Sequence, residues 1–152
     1  MRMRSKKACL LCLLFIHLDL TLLRAQTPFS YQNQAKAALR SQVSKIGKDC
    51  PNTRSTANEN ICIGRVELET KADFATYYGS LRSLLQASPD AVSQLEKSQE
   101  EWERYVQKAC DAIESFYRGG TIRPSAVVSC RIQLTRSRMQ DLDVLYYTTL
   151  HQ

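Results

Sequence analysis

Apolar residues recur three and four positions apart through Val92, Leu95, Trp102, Val106, Ala109, Ile113 and Phe116, with Gln99 the one polar member of the series. At 3.6 residues per turn these positions share one face, so the pattern predicts a helix whose seam faces other helices. Ser88 suits its N-cap, Pro89 its first helical position and Asp90 the positive end of its dipole. Gly119-Gly120 closes it in the manner of a glycine C-cap. Ile63, Val66, Phe74, Tyr78, Leu81 and Leu85 mark another helix from about Ala57 to Gln86. Val127, Cys130, Leu134, Leu142 and Leu145 mark a last one beginning near Pro124. Gln26 to Lys48 has only a thin stripe at Ala35, Ala38, Leu39, Val43 and Ile46, and reads as a polar arm or frayed helix. Asp49-Cys50-Pro51-Asn52 breaks it with turn chemistry. Strand-like alternation is almost absent. The expected fold class is all-α, a small helical bundle of about three principal helices.

The N-terminus changes how the rest is read. Arg2, Arg4, Lys6 and Lys7 precede an apolar run from Ala8 to Leu23, closed by Leu23-Arg24-Ala25. A basic segment, an apolar segment and a small residue read as a secretory signal peptide over residues 1–25. The competing reading is a retained anchor, but His17 and Asp19 leave the unbroken apolar stretch too short to span a bilayer comfortably. Export leaves a polar segment at 26–48 and a helical domain at 49–152, in the periplasm or outside the cell, with no membrane attachment. The signal takes five of the 21 basic and one of the 15 acidic residues, so the net charge falls from +6 to +2. The basic character therefore gives no case for nucleic acid.

Removal of the signal leaves four of the six cysteines: Cys50, Cys62, Cys110 and Cys130. An even number in a small exported domain implies disulfides, and four cysteines allow three connectivities. The natural pairing is local, Cys50 with Cys62 and Cys110 with Cys130, each closing a loop worth about 3 kcal/mol in the chain-entropy account. A zinc site would want close cysteine pairs, and the one C-x-x-C, Cys9 to Cys12, falls inside the signal. No metal or cofactor is expected.

Catalysis is hard to build from this inventory. The two histidines are His17, in the signal, and His151, one residue from the end, which removes Ser-His and Cys-His schemes from any ordered site. Glu100, Glu101 and Glu103 lie among Lys97, Arg104 and Lys108 and read as a solvated charged face rather than an acid–base pair. The glycine pair lacks the strand and the Lys-Ser or Lys-Thr of a phosphate loop. Trp102, Tyr78 and Leu134 are expected in the core.

Taken in order, these elements resemble a known family. "DCPNTRSTANENIC" carries the Asp-Cys-x11-Cys spacing of the bacterial lysozyme inhibitor LprI N-terminal domain family, with Asn60 two residues before Cys62. "FATYYGSL" is similar to its Leu-Asn-x-x-Tyr-x-x-Leu element through Phe74, Tyr78 and Leu81, and "QEEWERYVQKAC" to its Gln-x-x-Trp-x7-Cys through Gln99, Trp102 and Cys110. "YRGGTIRPSAVVSCRIQLTRSRMQDL" resembles its last series through Tyr117, Gly119, Gly120, Cys130, Leu134, Thr135, Arg138 and Leu142. Val106 stands where the family often has Arg, and Ala75 where it has Asn.

The resemblance implies a non-enzymatic protein that binds a protein partner, lysozyme, and inhibits it. The contacts expected for that role are the turn Gly119, Gly120, Thr121, Ile122 and Arg123, tied down by a neighbouring disulfide, and the acidic segment around Glu100. The alternative is a general envelope interaction or stress module on the same scaffold with no lysozyme target.

Overall fold

The computed structural model describes residues 27–152. The signal segment expected over residues 1–25 lies outside them. Four long helices, α1 (Pro28–Val43), α2 (Thr56–Leu84), α3 (Pro89–Phe116) and α4 (Arg123–Leu145), are followed by a single turn, α5 (Tyr147–Leu150). No strand occurs among the described residues. The fold is an all-α bundle carrying one principal helix more than the apolar pattern predicts.

The extra helix is α1, in the segment that reads as a polar arm or frayed helix. Thr27 caps it, its side chain accepting from the Ser30 N–H at 3.3 Å, and Pro28 follows at the first helical position. Its inner face is Gln32, Ala35, Ala38 and Gln42, all buried. Small residues let α1 approach α2 closely, while the glutamines are satisfied by hydrogen bonds. The Gln32 amide donates to the Thr149 carbonyl at 2.9 Å, and the Gln42 amide donates to Asp73 at 2.6 Å. An apolar count misses such a face because half of it is polar and paired.

The other boundaries fall close to expectation. Ser55 caps α2, accepting from the Asn58 N–H at 3.2 Å. Ser88 does occupy the N-cap of α3, but its side chain makes no capping hydrogen bond there. Gln42 meets Thr70 and Asp73 while Lys45 meets Glu69, so α1 and α2 run antiparallel. Arg82 meets Glu96, and Cys110 meets Cys130, so α3 is antiparallel to both α2 and α4. The helices alternate in direction, with α2 and α4 forming the central parallel pair.

The core gathers at one end of this arrangement. Ala35, Ala38, Tyr77, Leu81, Leu95, Met139, Leu142 and Leu150 are buried together where α1 and α3 begin and α2 and α4 finish. Tyr77, not Tyr78, is the fully buried tyrosine; Tyr78 lies partly buried against the cluster. The opposite end has fewer large buried side chains, chiefly Ile63 and Ile132. Both disulfides, Cys50–Cys62 and Cys110–Cys130, sit at that thinner end. Covalent closure there supplies about 3 kcal/mol per loop, in the chain-entropy account, where burial supplies less.

Candidate functional site: a stapled helical tip

The seam of α3 divides along its length. Leu95, Gln99 and Cys110 are buried, and Val92, Val106, Ala109 and Ile113 are half-buried. Trp102 is half-buried as well, short of the core position expected for it, with its ring stacked on Phe74 of α2 at 5.6 Å between ring centroids. Leu134 is likewise only partly buried. At the last turn the seam leaves the bundle altogether. Phe116 is 80% exposed, so the residue that completes the apolar pattern is not core.

Phe116 begins a protruding tip. Its ring meets Tyr117 edge-on at 4.9 Å. Gly119 then takes φ +83°, a left-handed conformation that glycine enters without the steric cost borne by other residues. The chain turns through two backbone bonds, from the Gly120 N–H to the Tyr117 carbonyl at 2.9 Å and from the Arg123 N–H to the Gly120 carbonyl at 3.3 Å. A Cβ on Gly120 would stand 3.3 Å from the Tyr117 carbonyl oxygen, so that position is close-packed too. Ile122 is 50% exposed beside exposed Arg118, Thr121 and Arg123. Cys110–Cys130, with 5.8 Å between the Cα atoms, fixes the two helices behind the turn. The tip therefore presents two large apolar groups and two guanidinium groups on a base that cannot splay.

Glu100 is not part of this cluster. It lies on exposed α3 surface about 24 Å along the helix axis from Phe116, where the tip begins. Its acidic neighbours are already engaged: Glu96 pairs with Arg82, Glu101 with Arg104, and Glu103 accepts from the Gln99 amide. The turn residues come together as one feature, and the acidic segment stands apart from it. Phe116 and Arg118 were missed as contact candidates. The signal was available in the sequence, since Phe116 is the last seam position before a glycine turn, where no partner helix continues.

Elsewhere the polar groups serve the scaffold. Arg138 of α4 donates to Ser98 at 2.9 Å and to Gln99 at 3.4 Å, locking α3 onto α4. Glu67 of α2 accepts from Arg131 at 2.6 Å and pairs with Lys71 at 3.0 Å. Burial alone would raise its pKa, but the hydrogen bonds and positive charges of Arg131 and Lys71 outweigh that and hold the carboxyl below its ordinary range. Burial, reinforced by the charge of Asp143, pushes the Tyr77 phenol up, which keeps it neutral in the core. His151 pairs with Asp143 at 3.0 Å and stacks on Tyr147 at 4.5 Å. No group of three His, Cys, Asp or Glu residues with metal-binding geometry occurs among the described residues.

A family model described as "Lysozyme inhibitor LprI" matches residues 48–142, well over half of the chain. The chain belongs to the LprI lysozyme inhibitor family. No curated protein and no solved structure matches it. The matched span takes in both disulfides, the Phe74–Trp102 stack, the Gln99–Arg138 contact and the whole tip. Most LprI motif positions thus hold helices together, whereas Tyr117, Gly119 and Gly120 shape the tip. Ala75, which replaces the motif asparagine, is exposed, so no buried hydrogen bond is lost there. No helix of the described residues is long and apolar enough to cross a membrane.

Proposed function

We propose that this LprI-family protein acts outside the cytoplasm as a protein inhibitor of lysozyme, engaging the enzyme through the tip Phe116–Arg123. It is not itself an enzyme on this reading. The observation that carries the proposal is the exposure of Phe116 and Ile122 beside Arg118 and Arg123 on a disulfide-held turn. Aromatic and arginine side chains dominate the energetics of protein interfaces, and a turn that is already fixed loses little entropy on binding. Glycosidases keep two carboxylates around the scissile bond, and guanidinium groups pair with carboxylates in a two-pronged geometry. The acidic face around Glu100 is the weaker contact candidate, because its neighbours Glu96 and Glu101 are neutralised within the protein.

Two disulfides in a small domain fit an oxidising compartment, and a chain cleaved after Ala25 would reach the periplasm or the medium. The direct test is lysis of a cell-wall suspension by lysozyme, followed by turbidity, with and without the purified protein. Slower clearing that saturates with added protein supports the reading. Clearing at the control rate, at protein concentrations well above that of the enzyme, rejects it in favour of an envelope module with another target.

A further inference from the structure

Three clefts adjoin one another along the outer face of α4. The first, about 380 Å³, lies beside Ala109, Ile113, Tyr117 and Leu134 near the Cys110–Cys130 bond. The second, about 300 Å³, lies beside Cys50, Glu59 and Ile132. The third, about 290 Å³, lies beside Ile46, Arg136 and Gln140. Gln133 lines all three; Ser129 is shared by the first two, and Gly47 and Asp49 by the last two. The three adjoin as one grooved face of α4, with α3 beside the first cleft and the loop before Cys50 beside the other two.

The chemistry of the wall selects a ligand. Ser129, Gln133, Ser137 and Gln140 follow one another along α4 over about 16 Å, and their side chains make no hydrogen bond with any described residue. The wall's cation, Arg136, is spent on Asp49 and Gln42. Glu59 is a carboxylate without an ion pair among the described residues, able to accept from hydroxyl groups. An anionic ligand would find no free positive charge on this wall. A wholly apolar one would strip water from Gln133 and Ser129 and leave them unpaired, which is costly. The ligand that satisfies every part is neutral, rich in hydroxyl and amide groups, and carries small apolar groups for the first cleft.

We propose that this groove binds a neutral oligosaccharide bearing acetamido groups. An acetamido methyl sits against Ile113 and Leu134, and the ring hydroxyls and amides bond to Ser129, Gln133, Ser137 and Glu59. The site adjoins the tip at Tyr117 but runs along α4 away from it, and it does not depend on lysozyme being the protein's target.

The test is an NMR titration of the purified protein with N-acetylated chitotetraose, and in parallel with cellotetraose, which lacks the acetamido groups. The expected result is saturable shifts at the Gln133 side-chain amide and the Ile113 methyls, at an affinity insensitive to a tenfold change in salt, with cellotetraose several-fold weaker. Gln133→Ala and Ser137→Ala alter exposed side chains, should melt like the parent, and should each weaken chitotetraose binding about fivefold or more. Lysozyme inhibition should be unchanged in both, which separates this claim from the tip. The proposal is overturned by the absence of shifts at millimolar sugar, by equal binding of cellotetraose, by variants that bind as the parent does, or by shifts confined to the tip. Capture of an extended polar peptide in the groove with no response to sugar would also overturn it.

Discussion

Arg136 of α4 and Asp49, 87 positions apart in the chain, form a two-pronged ion pair, with Nη2 at 3.0 Å from Oδ1 and Nη1 on Oδ2. Arg136 is 5% exposed, and its Nε donates at 3.0 Å to the Gln42 side-chain carbonyl, which also accepts from Thr70 at 2.9 Å. One buried guanidinium thus joins α1, α2, α4 and the loop leading into Cys50. A charge removed from water is tolerated only while its partners stay in place.

Asp49→Ala should therefore destabilise the protein by about 3 kcal/mol, because Arg136 is left charged and buried without its partner. Asp49→Ala combined with Arg136→Met should recover a substantial part of that loss, since the uncompensated charge goes too. Urea unfolding of the single and double variants measures both. A double variant less stable than Asp49→Ala alone would contradict this account of the pair.

The paired change Cys110→Ser with Cys130→Ser should cost about 2–5 kcal/mol in thermal or denaturant unfolding. It opens the end of the bundle where large buried side chains are few. Stability close to that of the parent would mean that the contacts between α3 and α4 hold the tip without the disulfide.

Trp102→Ala should cost about 2 kcal/mol, less than a fully buried tryptophan would, because the ring is stacked on Phe74 but only half-buried. Denaturant unfolding followed by far-UV circular dichroism avoids loss of the optical probe. A cost above about 4 kcal/mol would restore Trp102 to the core.

Acid should weaken the Glu67–Arg131–Lys71 cluster. The Glu67 carboxyl titrates below its ordinary value of 4.5 when folded, so its contribution is fully present above that value and is lost as pH falls through the folded one. Glu67→Gln should be less stable than the parent near neutral pH, and the gap should close as pH falls below 4.5. Unfolding curves across that range check the sign, and a gap that widens on acidification would reverse it.

The sequence carried the helical class, the disulfide pairing and the extent of α2, α3 and α4, because apolar spacing and cysteine separation report those features directly. It under-read α1, whose inner face is built from Ala35, Ala38 and the hydrogen-bonded Gln32 and Gln42 rather than from large apolar groups. Phe116 and Trp102 share one helical phase with Leu95, yet only Leu95 is fully buried. Periodicity gives the direction in which a side chain points and not whether a neighbour extends far enough to cover it. The turn at Gly119–Arg123 was legible as a turn, while the groove along α4 was not, since Ser129 and Gln133 join Asp49 and Gly47 only through tertiary packing.

The tip is tested most directly by Ile122→Ala combined with Arg123→Ala in the turbidity assay of lysozyme inhibition, with thermal melting as the check on folding. Both side chains project from the turn, so the melting temperature should stay near that of the parent. The account predicts at least a tenfold loss of inhibition, about 1.4 kcal/mol or more of binding energy. A folded variant that inhibits as strongly as the parent would contradict it, leaving the turn a connector and moving the contact surface to the face around Glu100.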